Sequence, residues 1–275
     1  MKLWLKLKLR DIFARFTARL LGPHALAIIA QTPQGLFAVD PQDFDVGRQL
    51  RHSGQWGQSE LDLLTPYLSP EAEILVVGAH IGSLVVPLAR RCQRLVAIEA
   101  NPHSFELLAL NLRLNQILNC ETHCLAASQG PETLRFLANP SSTGGSKRMP
   151  VVKNNLYFYD HPAEISVEAV ALDDLLHGQH FDLILMDIEG AEYFARLGMQ
   201  SLLAKAQVLQ IEFLPHHLKQ VSAVSVADFL SPLGKHFQRL FIPSQQRWVE
   251  QAAFLQVLSE MFDQNRGDDG LIFLK

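Results

Sequence analysis

A chain of 275 residues, 48% hydrophobic, 19% charged and with a formal net charge of -4, can bury a full core and lacks the basic excess of a nucleic-acid binder. Cys92, Cys120 and Cys124 have neither metal-ligand spacing nor an even disulfide framework, which fits buried thiols in a reducing compartment. No run is long and apolar enough to span a bilayer, and Lys2, Lys6, Lys8 and Arg10 interrupt any signal-peptide pattern, so a cytoplasmic protein is expected.

Residues 1–22 are the most basic stretch, with Lys2, Lys6, Lys8, Arg10, Arg15 and Arg19 against the single acid Asp11. Leu3, Leu5, Leu7 and Leu9 alternate, whereas Ile12, Phe13, Phe16 and Leu20 recur at helical spacing. Such a segment reads first as a cap on its own domain and second as a helix that could lie on an anionic membrane surface. Residues 31–56 carry Pro33, Gly35, Pro41, Gly47 and Gly54 as punctuation and read as loops and short strands. We therefore expect an N-terminal extension over residues 1–56 and one large α/β domain over 57–275.

Residues 59–68 look like a helix ended by Ser69-Pro70, with Glu60 near its start suiting the helix dipole. The stretch around which the chain is organised follows. Ile74-Leu75-Val76-Val77 is apolar without alternation, as in a strand covered on both faces. Gly78 and Gly82 permit a sharp turn into a helix whose free amides face a ligand. Leu95-Val96-Ala97-Ile98 forms the next strand and ends on Glu99, about 20 residues after the first glycine, where an acid can accept both hydroxyls of a ribose.

Asn101-Pro102 is an N-cap followed by proline at the first helical position. A third strand is expected near 121–126, leading to Ala127-Ser128. Residues 139–150, rich in Ser, Thr and Gly and ending in Lys147-Arg148, read as a flexible loop or solvated connector that could close over an acidic acceptor. Residues 165–172 alternate like a strand. Leu183-Ile184-Leu185-Met186 is a second buried strand, delivering Asp187 to the carboxyl edge of the sheet and entering a helix through Glu189-Gly190-Ala191-Glu192. Of Glu189 and Glu192, one is expected to serve the turn itself. Strands at 208–213, 235–242 and 270–274 and a helix over 248–262 complete a doubly wound sheet of six or seven strands.

With these stretches in order, the chain resembles the FkbM family of S-adenosylmethionine-dependent methyltransferases, from about residue 54 to residue 218. Val76-Val77-Gly78-Ala79-His80-Ile81-Gly82 matches the family's D-V-G-A-N-I-G, and Ile98-Glu99-Ala100-Asn101-Pro102 its F-E-P-N-P. Leu112-Arg113-Leu114-Asn115, Leu172-Asp173-Asp174-Leu175-Leu176, Asp187-Ile188-Glu189-Gly190-Ala191-Glu192 for D-V-E-G-A-E, and Ile211-Glu212-Phe213 follow in the same order. Two positions depart: Val76 stands where the family has Asp, and His80 where it has Asn.

The resemblance implies a seven-stranded Rossmann-like sheet and S-adenosylmethionine as cofactor. It places Gly78, Ala79, His80 and Gly82 at the methionine part, Glu99 at the ribose, Asn101 and Ser128 near adenine, and Asp187 near the methionine amino group. Asp187 and Glu189 are the catalytic candidates, with Glu189 as a possible base for a hydroxyl acceptor; His80, His216 and His217 are also on that edge. A Mg²⁺ site from Asp173, Asp187, Glu189 and Glu212 is weighed and not adopted. The expected partner is a small hydroxylated acceptor such as a sugar or secondary metabolite. The alternatives are a degenerate fold serving as a scaffold, motivated by Val76 and His80, and an NAD-dependent oxidoreductase, which Gly78 and Gly82 do not support because they do not complete G-x-G-x-x-G.

Overall fold

The computed structural model describes residues 2–231 and 233–275, and side chains from Trp4 onward; Met1 and the side chains of Lys2 and Leu3, part of the basic segment, lie outside it. A 20-residue helix, α1 (Lys2–Leu21), is followed by a hairpin of β1 (Ile28–Thr32) and β2 (Gly35–Val39) and by α2 (Val46–Ser53) and α3 (Gln58–Leu64). The early leucine alternation is therefore helical throughout, and residues 31–56 contain a helix as well as strands.

The main sheet begins with β3 (Glu73–Val77), helix α4 (Val85–Ala89) and β4 (Arg94–Glu99), then α5 (Pro102–Leu114) and β5 (Cys120–Cys124). Next come β6 (Ala126–Ala127), β7 (Glu132–Ala138), β8 (Lys147–Arg148) and β9 (Ala163–Val170). The chain closes with β10 (Leu183–Met186), β11 (Val208–Phe213), β12 (Arg239–Ile242), β13 (Arg247–Glu250) and β14 (Asp268–Leu274). Eight of these strands form one sheet in the order β13-β12-β14-β11-β10-β3-β4-β5. β5, β4, β3, β10 and β11 run parallel, and β14 is antiparallel to both β11 and β12.

Why β3 and its neighbours read as unbroken apolar runs is visible in where their side chains go. Leu75, Val77, Val96, Ile98, Ile184 and Met186 belong to one core cluster, and Ile74, Val76, Leu95, Ala97, Leu183 and Leu185 to another. Successive residues point to opposite faces, and both faces are covered. Register then sets the site. Val77 pairs with Ile98 and Met186, and Met186 pairs with Ile211. The next residues along, Gly78, Glu99, Asp187 and Glu212, stand in a row on the carboxyl edge.

Three expectations need correction. The sheet has eight strands because residues 247–250, expected to begin a helix, form the edge strand β13; the helix starts at Phe254. Residues 233–236 are helical, so that strand begins only at Arg239. The strand near 165–172 joins no helix-covered sheet but a separate four-stranded one, ordered β6-β9-β7-β8, and its exposed alternate residues match a sheet wet on one face. Of the cysteines, Cys92 is buried, Cys120 half-buried and Cys124 exposed, and all three are free.

Candidate active site

The turn after β3 is built by backbone. Amides of Gly78 and Ala79 both donate to Ile98 O at 2.9 Å. Gly78 has φ +94°, and a Cβ there would lie 1.8 Å from Asp187 O, so the close approach of β3 and β10 requires glycine. Gly82, at φ +85°, lies against Leu108 Cδ1 rather than on the pocket wall. His80 also adopts a left-handed conformation, φ +50°, one that Asn and His tolerate better than most side chains. The backbone thus explains why His can stand where the family has Asn.

Glu99 closes this turn. One carboxylate oxygen accepts the His80 amide at 2.7 Å and the other the Asn101 amide at 2.8 Å. Burial pushes its pKa up to about 7 against the pull of those amides. Each oxygen keeps a second lone pair for a ligand hydroxyl, and Glu99 lines a narrow pocket, about 600 Å³ counted with the open space at its mouth, together with Gly78, His80, Ala127, Thr143 and Asp187. Asn101 is the N-cap of α5, accepting from the His103 amide at 3.1 Å. Ala126 and Ala127 line the pocket, whereas Ser128 turns its hydroxyl to Glu132 and is fully buried.

His80 is tied into the wall. Its Nε2 lies 2.7 Å from Thr143 Oγ1, which in turn donates to Asp43 Oδ2 at 2.6 Å. With the Thr143 proton committed to Asp43, His80 Nε2 is the donor. Burial lowers the His80 pKa to about 4 and raises that of Asp43 to about 6. A neutral histidine here positions the 141–146 loop. That loop, expected to be a flexible connector, is instead buried and pinned: Ser141 bonds Asp160 through both its amide and its hydroxyl, and Ser142 donates to Asp45 at 2.9 Å.

The other wall is made of charges from distant segments. Lys147 is buried and its Nζ lies 2.7 Å from Glu189 Oε2 and 3.5 Å from His217 Nε2. His217 Nδ1 lies 2.9 Å from Glu212 Oε2. Burial drives the Glu212 pKa up, reinforced by the Asp187 and Glu189 carboxylates, and drives that of His217 down. Glu189 has φ +57°, a conformation costing about 1–3 kcal/mol in a non-glycine residue and concentrated at functional sites. Glu192 is the structural member of its pair: it accepts the Ile188 and Gly190 amides at 3.0 and 3.2 Å.

Asp187 stands between the two walls, at the floor of the cleft and open to it. Among the described residues its carboxylate has no hydrogen-bond or ion-pair partner within the protein. Although its side chain is open to the cleft, the protein mass around it and then the Glu189 and Glu60 carboxylates raise its pKa well above the usual range. Glu60, read from sequence as a helix-dipole acid, accepts from Gln210 at 2.9 Å in the same cleft, with its pKa pushed up to about 7 by burial and by Asp269. The weighed Mg²⁺ quartet does not assemble, because Asp173 caps the Ser201 and Leu202 amides. Asp187, Glu189 and Glu212 do converge, but Glu189 is taken by Lys147 and Glu212 by His217.

The model of one family, described as the methyltransferase FkbM domain, matches residues 77–263, more than half of the chain. The chain belongs to the FkbM methyltransferase family. No curated protein matches it. Similar solved structures include methyltransferase FkbM from Methylobacillus flagellatus KT, 15% identical over 75% of this chain and 44% of that one, with TM-score 0.41. This chain thus spans less than half the length of that relative. Others are an rRNA methylase from Streptococcus thermophilus, 11% identical over 79% and 94% of the chains with TM-score 0.46, and a TehB-like SAM-dependent methyltransferase from Corynebacterium glutamicum ATCC 13032, 13% identical over 83% and 93% with TM-score 0.44. Relative to the FkbM motif, Val76 is packed in the core at 1% exposure and contributes only apolar surface to the larger cleft.

Among the residues that sequence reasoning placed in the site, Gly78, His80, Glu99, Asp187 and Glu189 line one pocket together, and Ala79 lines the adjoining cleft. Gly82, Asn101 and Ser128 stand behind the wall. Glu60, Asp43 and Thr143 were not singled out by any motif, and only their contacts reveal them.

Proposed function

We propose that the chain is an S-adenosylmethionine-dependent methyltransferase acting on a hydroxyl of a small polar acceptor, such as a sugar or secondary metabolite. The observation that carries this reading is the Asp187 carboxylate, left without a protein cation beside Gly78 and surrounded by further acids. A ligand bearing a sulfonium and an ammonium supplies the missing positive charge, and by displacing water from the cleft beside Asp187 it strengthens that attraction. The donor set fits: Asp187 for the ammonium end, Glu99 for the ribose hydroxyls, and the narrow apolar wall of Ala126, Ala127 and Leu134 for a flat base.

When bound, the cofactor supplies an electrophilic methyl carbon. The chain's own contribution is to hold the acceptor oxygen in line with it and to exclude water. The wider cleft, about 2480 Å³ counted to its open mouth, is lined by Trp56, Glu60, Gln210, Ser244 and Asp269, a set of hydrogen-bonding groups with one aromatic that suits a polyhydroxylated acceptor. Glu189 lines both spaces and is our candidate for taking the acceptor proton, with Lys147 holding its carboxylate.

Calorimetric titration with S-adenosylmethionine and S-adenosylhomocysteine tests the proposal. Micromolar binding by the parent, weakened at least tenfold in Glu99→Ala and Asp187→Asn, is expected. A folded parent that binds neither ligand would overturn it, and the apolar Val76 would then mark a scaffold.

A further inference from the structure

We infer that helix α1 seats the protein on an anionic lipid surface. The helix is docked by one face only. Asp11 and Ala14 are buried, Arg10 pairs with Asp45 at 2.8 Å, and Lys8 Nζ donates to Tyr159 O at 2.7 Å. At 100° per residue, Leu5, Leu9, Ile12, Phe13, Phe16 and Leu20 fall within about 100° of the circumference, opposite that docked face. All six are exposed, with Ile12 at 59%, Phe16 at 58% and Leu20 at 72%. At the edge of the stripe Phe13 stacks on Phe44 of the body, with ring centroids 5.8 Å apart.

Charge identifies the occupant. Lys6 borders one edge of the apolar stripe and Arg15 and Arg19 the other, all exposed, and the helix's one acid, Asp11, is turned inward against Arg15. This concentration of positive charge stands out in a chain whose net charge is -4. Basic residues bordering an apolar stripe on both sides match a headgroup layer above acyl chains, with each cation worth a few-fold in affinity for anionic lipid. A second copy laid face to face would oppose these cations to one another. No helix among the described residues is long and apolar enough to cross a membrane, so the geometry is that of a helix lying in the interface plane. Because Arg10 grips Asp45, which lines the cleft beside Val46 and Gln49, the surface that takes the helix takes the cleft wall with it.

Co-sedimentation of the full chain with vesicles of phosphatidylcholine, with and without about one third phosphatidylglycerol, tests this. The chain should partition at least tenfold more strongly onto the anionic vesicles, and raised salt should release it. The double variant Ile12→Glu/Phe16→Glu, changed only at exposed positions, should fall to background while keeping the parent's circular dichroism and melting temperature. Lys6→Glu/Arg19→Glu should lose on the order of tenfold or more with its fold likewise intact. Equal partition onto both vesicles, no partition onto either, or a parent that is dimeric by light scattering and becomes monomeric in Ile12→Glu/Phe16→Glu would overturn the inference.

Discussion

The two walls of the candidate site are made in different ways. The Gly78–Glu99 wall is almost wholly backbone: two glycine-region amides on Ile98 O, and two more amides on the Glu99 carboxylate. All of it lies within one strand-turn-helix-strand unit. The opposite wall, beyond Asp187, is made of side chains from three separate segments, with Lys147, Glu189, and the Glu212–His217 pair brought together across up to 70 residues. A wall of amides is rigid and tolerates no added atoms. A wall of paired charges tolerates shape changes but no change in sign or proton count.

The sharpest way to break the first wall is Gly78→Ala. Its methyl would meet Asp187 O at 1.8 Å in a left-handed backbone, so a loss of about 3–5 kcal/mol is expected from steric overlap plus strain. Urea denaturation measures it; a loss under about 1 kcal/mol would mean that the two strands can part freely.

For the second wall, Lys147→Met should cost about 2 kcal/mol by leaving the partly buried Glu189 carboxylate without its cation, a figure discounted because Glu189 remains a quarter exposed. Adding Glu189→Gln should restore part of that stability. Simple additivity in the double-mutant cycle would show that the two do not act as a pair.

Protonation sharpens the contrast further. Glu60, Glu99 and Glu192 are each raised from 4.5 to about 7, chiefly by burial. The folded ligand-free chain therefore holds protons that the unfolded chain has released, and its stability should fall as pH rises from about 4.5 to about 7. Ionised acids favour a cationic ligand, so affinity for S-adenosylmethionine should rise several-fold from pH 6 to pH 8, and more steeply than for S-adenosylhomocysteine, which lacks the sulfonium. Thermal melts and titrations at a series of pH values check both slopes. A shallower profile for Glu99→Gln than for the parent would assign its share, with Glu60 and Glu192 carrying the rest.

The smallest effect is expected for His80→Asn. Asn accepts the same left-handed backbone, and a histidine with pKa lowered to about 4 carries no charge to lose near neutrality. A change under about 1 kcal/mol in stability and under about threefold in cofactor affinity is expected. His80→Val should do worse, because a β-branched residue resists positive φ.

The legibility of these regions follows their construction. Gly78, Glu99 and Asp187 could be placed on one sheet edge because each directly follows a buried apolar strand, and parallel strands in register deliver their ends together. Lys147 looked like part of a mobile loop because Ser, Thr and Gly around it carry no periodicity; the acids Asp43, Asp45 and Asp160, 19 to 100 residues away, are what fix that loop. Glu60 looked like a helix-start acid since nothing local reports that Gln210, 150 residues on, lies beside it. Residues 247–250 pair as an edge strand only because β12 is there to receive them.

By itself, then, the sequence determined the buried parallel strands β3, β4, β10 and β11, the helix after Asn101, the glycine turn, the three edge residues and membership of the FkbM pattern, because apolar periodicity and turn chemistry act over a few neighbouring residues. Tertiary structure alone decided which acids gather around Asp187, which cation holds Glu189, how His80 is held neutral, and which face of α1 is left bare. Those outcomes depend on side chains meeting across the fold, where burial and neighbouring charge, not local propensity, set what each group can do.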